Sequence, residues 1–312
     1  MDSRVRSMSA IGTQSPGLAS RLVNGVLSVK PLANFAKNRA RQMMIERAEK
    51  IGVPWRDEAA KLRSQPLESW LDLVGDRDLV YPDYYLRSFH AYENGNLGWA
   101  PATEVEVAAR AVHAGIWSDA GVEGDAKLRQ SYHDIVTAKL PTPPRDIVDL
   151  GCSVGMSTFA MQAVYPEANL TGVDLSPHFL AIAHHRSQQR NANIRWVHAA
   201  AESTGLPESS FDLVSLCLVC HELPQTATRE IFREARRLLR PEGHIAIMDM
   251  NPQSEVYAKM PPYILTLLKS TEPYLDRYFA LDIESELVAA GFDSPTITRN
   301  SPRHRTVIAQ AS

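Results

Sequence analysis

Three short stretches of this 312-residue chain carry residue types whose spacing suits chemistry. The first is Gly151-Cys152-Ser153-Val154-Gly155, between the apolar run Asp146-Ile147-Val148-Asp149-Leu150 and Met156-Ser157-Thr158. A buried strand that turns through glycines into a helix lets the backbone approach a ligand closely, and the helix-start N–H groups favour its negative end. A pyrophosphate cradle would need G-x-G-x-x-G, but Ser153 takes the second place and the third glycine is missing. The same residues also read G-x-S-x-G, a turn that can present a serine nucleophile, and Asp249 and His304 follow Ser153 in the order a triad needs. The second stretch, Leu170-Thr171-Gly172-Val173-Asp174-Leu175-Ser176-Pro177, ends a strand in an acid 23 residues after Gly151. An acid there suits hydrogen bonds to two ribose hydroxyls, which a hydrolase does not need.

The third stretch is Leu216-Cys217-Leu218-Val219-Cys220-His221-Glu222-Leu223-Pro224. Ligands of parallel sheets bind at carboxyl strand ends, so His221 is the candidate base for an acceptor, with strand capping and pocket shaping as its other role. Cys217 to His221 also match C-x-x-C-H, the haem attachment pattern. They lie in a continuous apolar strand, whose alternation sends Cys217 and Cys220 to opposite faces, so neither haem nor zinc is expected. Of the other histidines, His184 and His185 are expected on the solvent side of a helix, His198 and His304 at strands, and His90 among aromatic residues that could line an acceptor pocket.

Repeated βα units must position these residues. After Pro141-Thr142-Pro143-Pro144, short apolar runs alternate with helical spacing. Strands are predicted at 146–150, 169–174, 194–199, 211–219, 243–250, 293–298 and 304–309, and helices at 156–165, 177–190, 226–239 and 282–290. Before them, residues 18–135 read as a helical extension or lid, with Pro31 dividing two helices and an aromatic segment holding Tyr84, Tyr85, Phe89, Tyr92 and Trp99. Residues 1–17, rich in Ser and poor in acid, read as a disordered tail, with a transit segment as the alternative.

Net charge is −3, unevenly spread: residues 1–50 carry 9 Lys/Arg against 3 Asp/Glu, while the rest carry 24 against 33. A basic arm on an acidic body gives no reason to expect nucleic-acid binding, but fits peripheral contact with an anionic membrane face. Three cysteines build no disulfide framework and suit a reducing compartment, so a cytoplasmic location is expected, with membrane association through the basic arm as one alternative and a plastid or other organelle, if the first residues are a transit segment, as another. Oligomeric state is not legible.

In order along the chain, Asp149 to Gly155, Gly172 to Ser176, Ala201-Glu202 with Leu206-Pro207, Phe211-Asp212-Leu213-Val214, and Leu238 to His244 resemble the motifs of class I S-adenosylmethionine-dependent methyltransferases, in the style of the UbiE-like (methyltransferase type 11) branch. Gly52-Val53-Pro54-Trp55 and Pro82-Asp83-Tyr84-Tyr85 are similar to cyanobacterial and plastid members. The resemblance implies an α/β fold: a Rossmann-like, mostly parallel seven-stranded sheet with helices on both faces, spanning 136–312 behind the helical extension. It implies S-adenosyl-L-methionine as cofactor and no metal. Gly151, Cys152, Ser153 and Gly155 would surround its methionine part, with Asp149 near the amino group. Asp174 and Leu175 would lie at the ribose, Ala201 and Glu202 at adenine, and Leu218 beside the methyl position. Ser153 replaces a common glycine, and Ala200 stands where many members have an acid.

Insertions between the fifth strand and the last helix cap the site in such enzymes. Here, about 252–280, the insertion is apolar and aromatic, which suits a bulky apolar or lipid-like small-molecule acceptor. Tyr85, His90, Tyr92, Tyr257 and Tyr263 are the candidate acceptor contacts. Two rivals stand beside this reading: an α/β-hydrolase-type serine hydrolase using Ser153, and a non-catalytic protein that keeps the methyltransferase fold.

Overall fold

The computed structural model describes residues 30–90 and 92–312. The expected tail at 1–17 and the first part of the basic arm lie outside them. Among the described residues, the extension holds α1 (Lys30–Lys50), α2 (Trp55–Arg63), α3 (Leu67–Val74), the irregular stretch 75–98, and α4 (Trp99–His113). Pro31 sits in the first turn of α1, where its missing N–H costs nothing. Glu104 of α4, 1% exposed, ties the extension together by accepting hydrogen bonds from Arg41, Arg63 and the Tyr92 hydroxyl. Arg41 of the basic arm is therefore turned inward.

Helix α5 (Gly124–Lys139) leads into the alternating units β1 (Asp146–Leu150), α6 (Met156–Val164), β2 (Asn169–Asp174), α7 (Pro177–Arg190), β3 (Ile194–His198), β4 (Phe211–Cys217), α8 (Gln225–Leu238) and β5 (Leu239–Met250). The cap helices α9 (Glu255–Ala258), α10 (Pro262–Thr271) and α11 (Leu275–Phe279) follow, then α12 (Ile283–Ala289), β6 (Thr296–Arg299) and β7 (His304–Gln310). The strands form one sheet in the order β3-β2-β1-β4-β5-β7-β6, parallel except where β7 pairs antiparallel with β5 and β6.

Strand alternation divides the interior. Val148 and Leu150 of β1 join the core on the α8 and α12 side, while Ile147 joins the core of α5 and α6. Three sequence expectations need correction. β4 stops at Cys217, because Leu218 takes a left-handed φ of 63°; the opposite placement of Cys217 and Cys220 therefore comes from a bend, not from alternation. β5 begins at Leu239, which pairs with Phe211 across a bulge before regular pairing starts at His244. His185 is 8% exposed and stacks on Trp70 of α3 at 3.9 Å, so it packs the extension on the sheet domain instead of facing solvent. Among the described residues, no helix is long and apolar enough to cross a membrane.

Candidate active site

At the carboxyl ends of β1, β2 and β4, beneath the 75–98 loop and the cap, lies a cavity of about 570 Å³. That is within the usual size of a small-molecule site, about 300–1,000 Å³. Cys152, Ser153, Asp174, Leu175, Ala201, Glu202 and Leu218 line it, as do Gly151, His221, Tyr85, His90, Tyr92 and Tyr257. Three of the anticipated residues do not. Tyr263 is 46% exposed on the outer side of α10. Gly155 (φ 85°) starts α6, and a Cβ there would lie 2.7 Å from Phe159 and 2.8 Å from Trp196, so packing demands this glycine. Asp149 shares the inward face of Ile147 and stands behind the cavity wall, accepting hydrogen bonds from Ser157 Oγ (2.6 Å) and Thr158 Oγ1 (2.7 Å). Burial pushes its carboxyl up to about 6.

The turn after β1 is tight. Gly151 has φ 74°, and a Cβ there would meet Val219 at 2.7 Å. Gly151→Ala is expected to destabilise the chain by about 1–3 kcal/mol and to deform the cavity floor, as urea unfolding would measure. Three non-glycine residues with positive φ line the cavity: His90 (46°), Ser153 (51°) and Leu218 (63°). Such conformations collect where a site needs them.

Asp174 is clamped at the tip of β2. Its two carboxylate oxygens each accept a backbone hydrogen bond, from Ser153 N and from Ser176 N, both at 2.7 Å. Burial pushes its carboxyl up to about 7, with the charges of Glu222 and Asp149 adding to the effect. Glu202 accepts a hydrogen bond from the Tyr84 hydroxyl at 2.8 Å. Its Oε2 and the Oγ of Ser153 are buried with no hydrogen-bond partner.

Sequence reasoning missed Arg129 on α5. It lines the cavity beside Met156 and Ser157, and donates from Nε to Asp125 at 3.0 Å. Burial works against its charge, but Asp125 outweighs burial and holds the guanidinium cationic. Only its i, i+4 spacing from Asp125 is visible in the chain, and that spacing is common on any helix. Glu272, at the end of α10, also lacked any signal.

His221 donates from Nδ1 to Asp249 Oδ1 at 2.7 Å. Burial would lower its pKa, yet the Asp249 charge and hydrogen bond, with Glu272 and Glu222 nearby, raise it to about 10. The direction of that shift favours the imidazolium, which has no free pair with which to act as the base the sequence suggests. The hydrolase triad is not assembled either. Asp249 serves His221, His304 Nδ1 pairs with Ser301 Oγ at 2.8 Å, and Ser153 Oγ has no partner.

Residues 147–243 match the methyltransferase domain family. Curated relatives include a malonyl-[acyl-carrier protein] O-methyltransferase of Hahella chejuensis, 38% identical over 33% of this chain and 35% of that protein. A demethylmenaquinone methyltransferase of Thermus thermophilus is 26% identical over 41% of this chain and 56% of that protein. The chain thus spans about a third to a half of these relatives' length. An uncharacterised methyltransferase of Synechocystis matches at 27% identity over 52% of this chain and 74% of its own. Among solved structures, a phosphoethanolamine N-methyltransferase of Haemonchus contortus in complex with S-adenosyl-L-methionine shares the fold, with a TM-score of 0.53 at 13% identity over 76% of this chain and 61% of that one.

Proposed function

From the premise that this chain carries a class I S-adenosylmethionine-dependent methyltransferase domain, we propose that it transfers a methyl group to a small, largely apolar acceptor held in the cavity under the cap. The observation that carries this reading is the pair of strand tips: a tight glycine turn after β1 bonded directly, Ser153 N to Asp174, to a carboxylate at the end of β2.

The cavity suits the cofactor chemically. Asp174 would accept from the ribose hydroxyls, and the partnerless Glu202 Oε2 and Ser153 Oγ are polar atoms that a nucleoside amine or an amino acid group could satisfy. Arg129, cationic and in the cavity wall beside Met156, would take the carboxylate of the methionine part. When bound, the cofactor supplies a sulfonium methyl group that is already electrophilic. The chain's own task is alignment and exclusion of water. Tyr84 and Tyr85 roof the ribose side of the cavity, while Met250, Met260, Ile264 and Leu268 give the acceptor half an apolar wall.

Arg129→Leu is expected to weaken binding of S-adenosylhomocysteine, which keeps the carboxylate, roughly tenfold or more, with little change for adenosine, which lacks it. Calorimetry on both ligands tests this. Equal loss for the two would remove Arg129 from the carboxylate. Mass spectrometry of ligands that copurify with the chain tests the cofactor assignment itself.

A further inference from the structure

At the acceptor end, the cavity holds a cage that neither the cofactor nor the fold accounts for. His90 Nε2 stands 3.8 Å from Glu222 Oε1 and 3.8 Å from Glu272 Oε1. His221 Nε2 stands 4.0 Å from Glu222 Oε1 and 3.9 Å from Glu272 Oε2. All four spacings exceed hydrogen-bond reach, as they would around an intervening polar group. Glu272 is 7% exposed, lines the cavity, and its Oε2 has no hydrogen-bond partner. Behind the cage, Asp249 accepts a hydrogen bond from His221 Nδ1. Arg303 lines the cavity and Arg305 pairs in register with Asp249, so the carboxylate oxygen left buried without a hydrogen bond at the cage is Glu272 Oε2. A buried charge of that kind calls for a positive partner. No group of three or more His, Cys, Asp or Glu among the described residues is drawn together as metal ligands are. The wall beside the cage is apolar: Leu223, Met250, Ile264 and Leu268.

We propose that this cage seats a primary or secondary ammonium head group, so that the acceptor is an amphiphilic amine whose hydrocarbon part lies along the apolar wall. The inference rests on the methyltransferase reading and specifies its substrate class. Glu222 also has a place in the proton balance, because burial raises its carboxyl, whereas burial of Glu272 is outweighed by His90 and His221, which hold that carboxyl down. An ammonium nitrogen has no free electron pair; when its N–H bond breaks, the pair stays on nitrogen and the proton goes to Glu222, and the amine then accepts the methyl group as the carbon–sulfur bond breaks with its pair going to sulfur.

The test is calorimetry on the full chain saturated with S-adenosylhomocysteine, titrated with n-octylamine, n-octanol and n-octanoate. Octylamine is expected to bind in preference to the other two. Glu272→Gln and, separately, Glu222→Gln are expected to weaken octylamine roughly 30-fold or more while leaving octanol unchanged. Retained S-adenosylhomocysteine binding shows that each variant is folded and that the methyltransferase reading stands; loss of that binding in the parent chain would sink the reading itself. The amine assignment is overturned if octanol or octanoate binds as well as octylamine, if octylamine does not bind the S-adenosylhomocysteine-saturated chain, or if Glu272→Gln leaves the preference intact. Tight zinc or manganese binding that disappears in Glu272→Gln would overturn it too, making the cage a metal site.

Discussion

Asp174→Ala is expected to weaken S-adenosylhomocysteine binding by about 100-fold or more. A carboxylate accepting two ribose hydroxyls supplies two charge-assisted hydrogen bonds, each contributing about 1.5–3 kcal/mol. The same carboxylate also fixes the glycine turn through Ser153 N at 2.7 Å, so the variant loses both the contact and the shape of the turn. The pH dependence gives a second check. In the free chain, burial holds the Asp174 carboxyl at about 7. Below that pH the group is mostly protonated and must release its proton before it can accept both hydroxyls. Affinity should therefore rise with pH from 6 to 8, with proton release visible as a buffer-dependent binding enthalpy. A flat profile, or unchanged affinity in the alanine variant, would remove Asp174 from the cofactor.

The Asp249–His221 pair carries the second large effect. Asp249 is 1% exposed and His221 6%. Asp249→Asn leaves the imidazolium without its anion and is expected to cost about 3–5 kcal/mol at pH 6, measured by urea unfolding. The sign follows from linkage. The folded chain raises the His221 pKa from 6.5 to about 10, so the pair's contribution is complete below about 6.5 and is lost as pH climbs through 10. The cost of Asp249→Asn should therefore shrink between pH 6 and pH 10.5. A cost that does not change with pH would mean that His221 is not held as an imidazolium. In turnover, the substitution should release His221 toward neutrality and disturb the Glu272 carboxylate that it faces at 3.9 Å.

Which parts of this were legible follows from which are local. Strand runs such as Asp146–Leu150 and Asn169–Asp174 announce themselves by apolar continuity, and the glycine turn announces the bend between β1 and α6. Helix α7 carries its own start signal, Ser176 capping Phe179 N ahead of Pro177. The acceptor end was not local. His90, Glu222, Asp249 and Glu272 come from four separate segments, and nothing near Glu272 in the chain says that it faces His221. Asp249 entered the sequence reading only through the rival triad with Ser153 and His304, because order along the chain does not give distance, and its pairing with His221 was not visible. Tyr263 failed for the same reason: it shares an aromatic run with Tyr257, yet the turn of α10 leaves it outward.

The 75–98 stretch is fastened on both sides. Ser176 Oγ donates to Asn96 O at 2.7 Å, at the tip of β2, and His90 N donates to Thr271 O at 3.1 Å, at the end of α10. The two covers of the cavity, one from each half of the chain, are thereby stitched at a common seam. Parting loop from cap would break the His90–Thr271 bond, and His90 is also the residue that faces Glu222 and Glu272, so any movement of the covers is felt directly at that cluster.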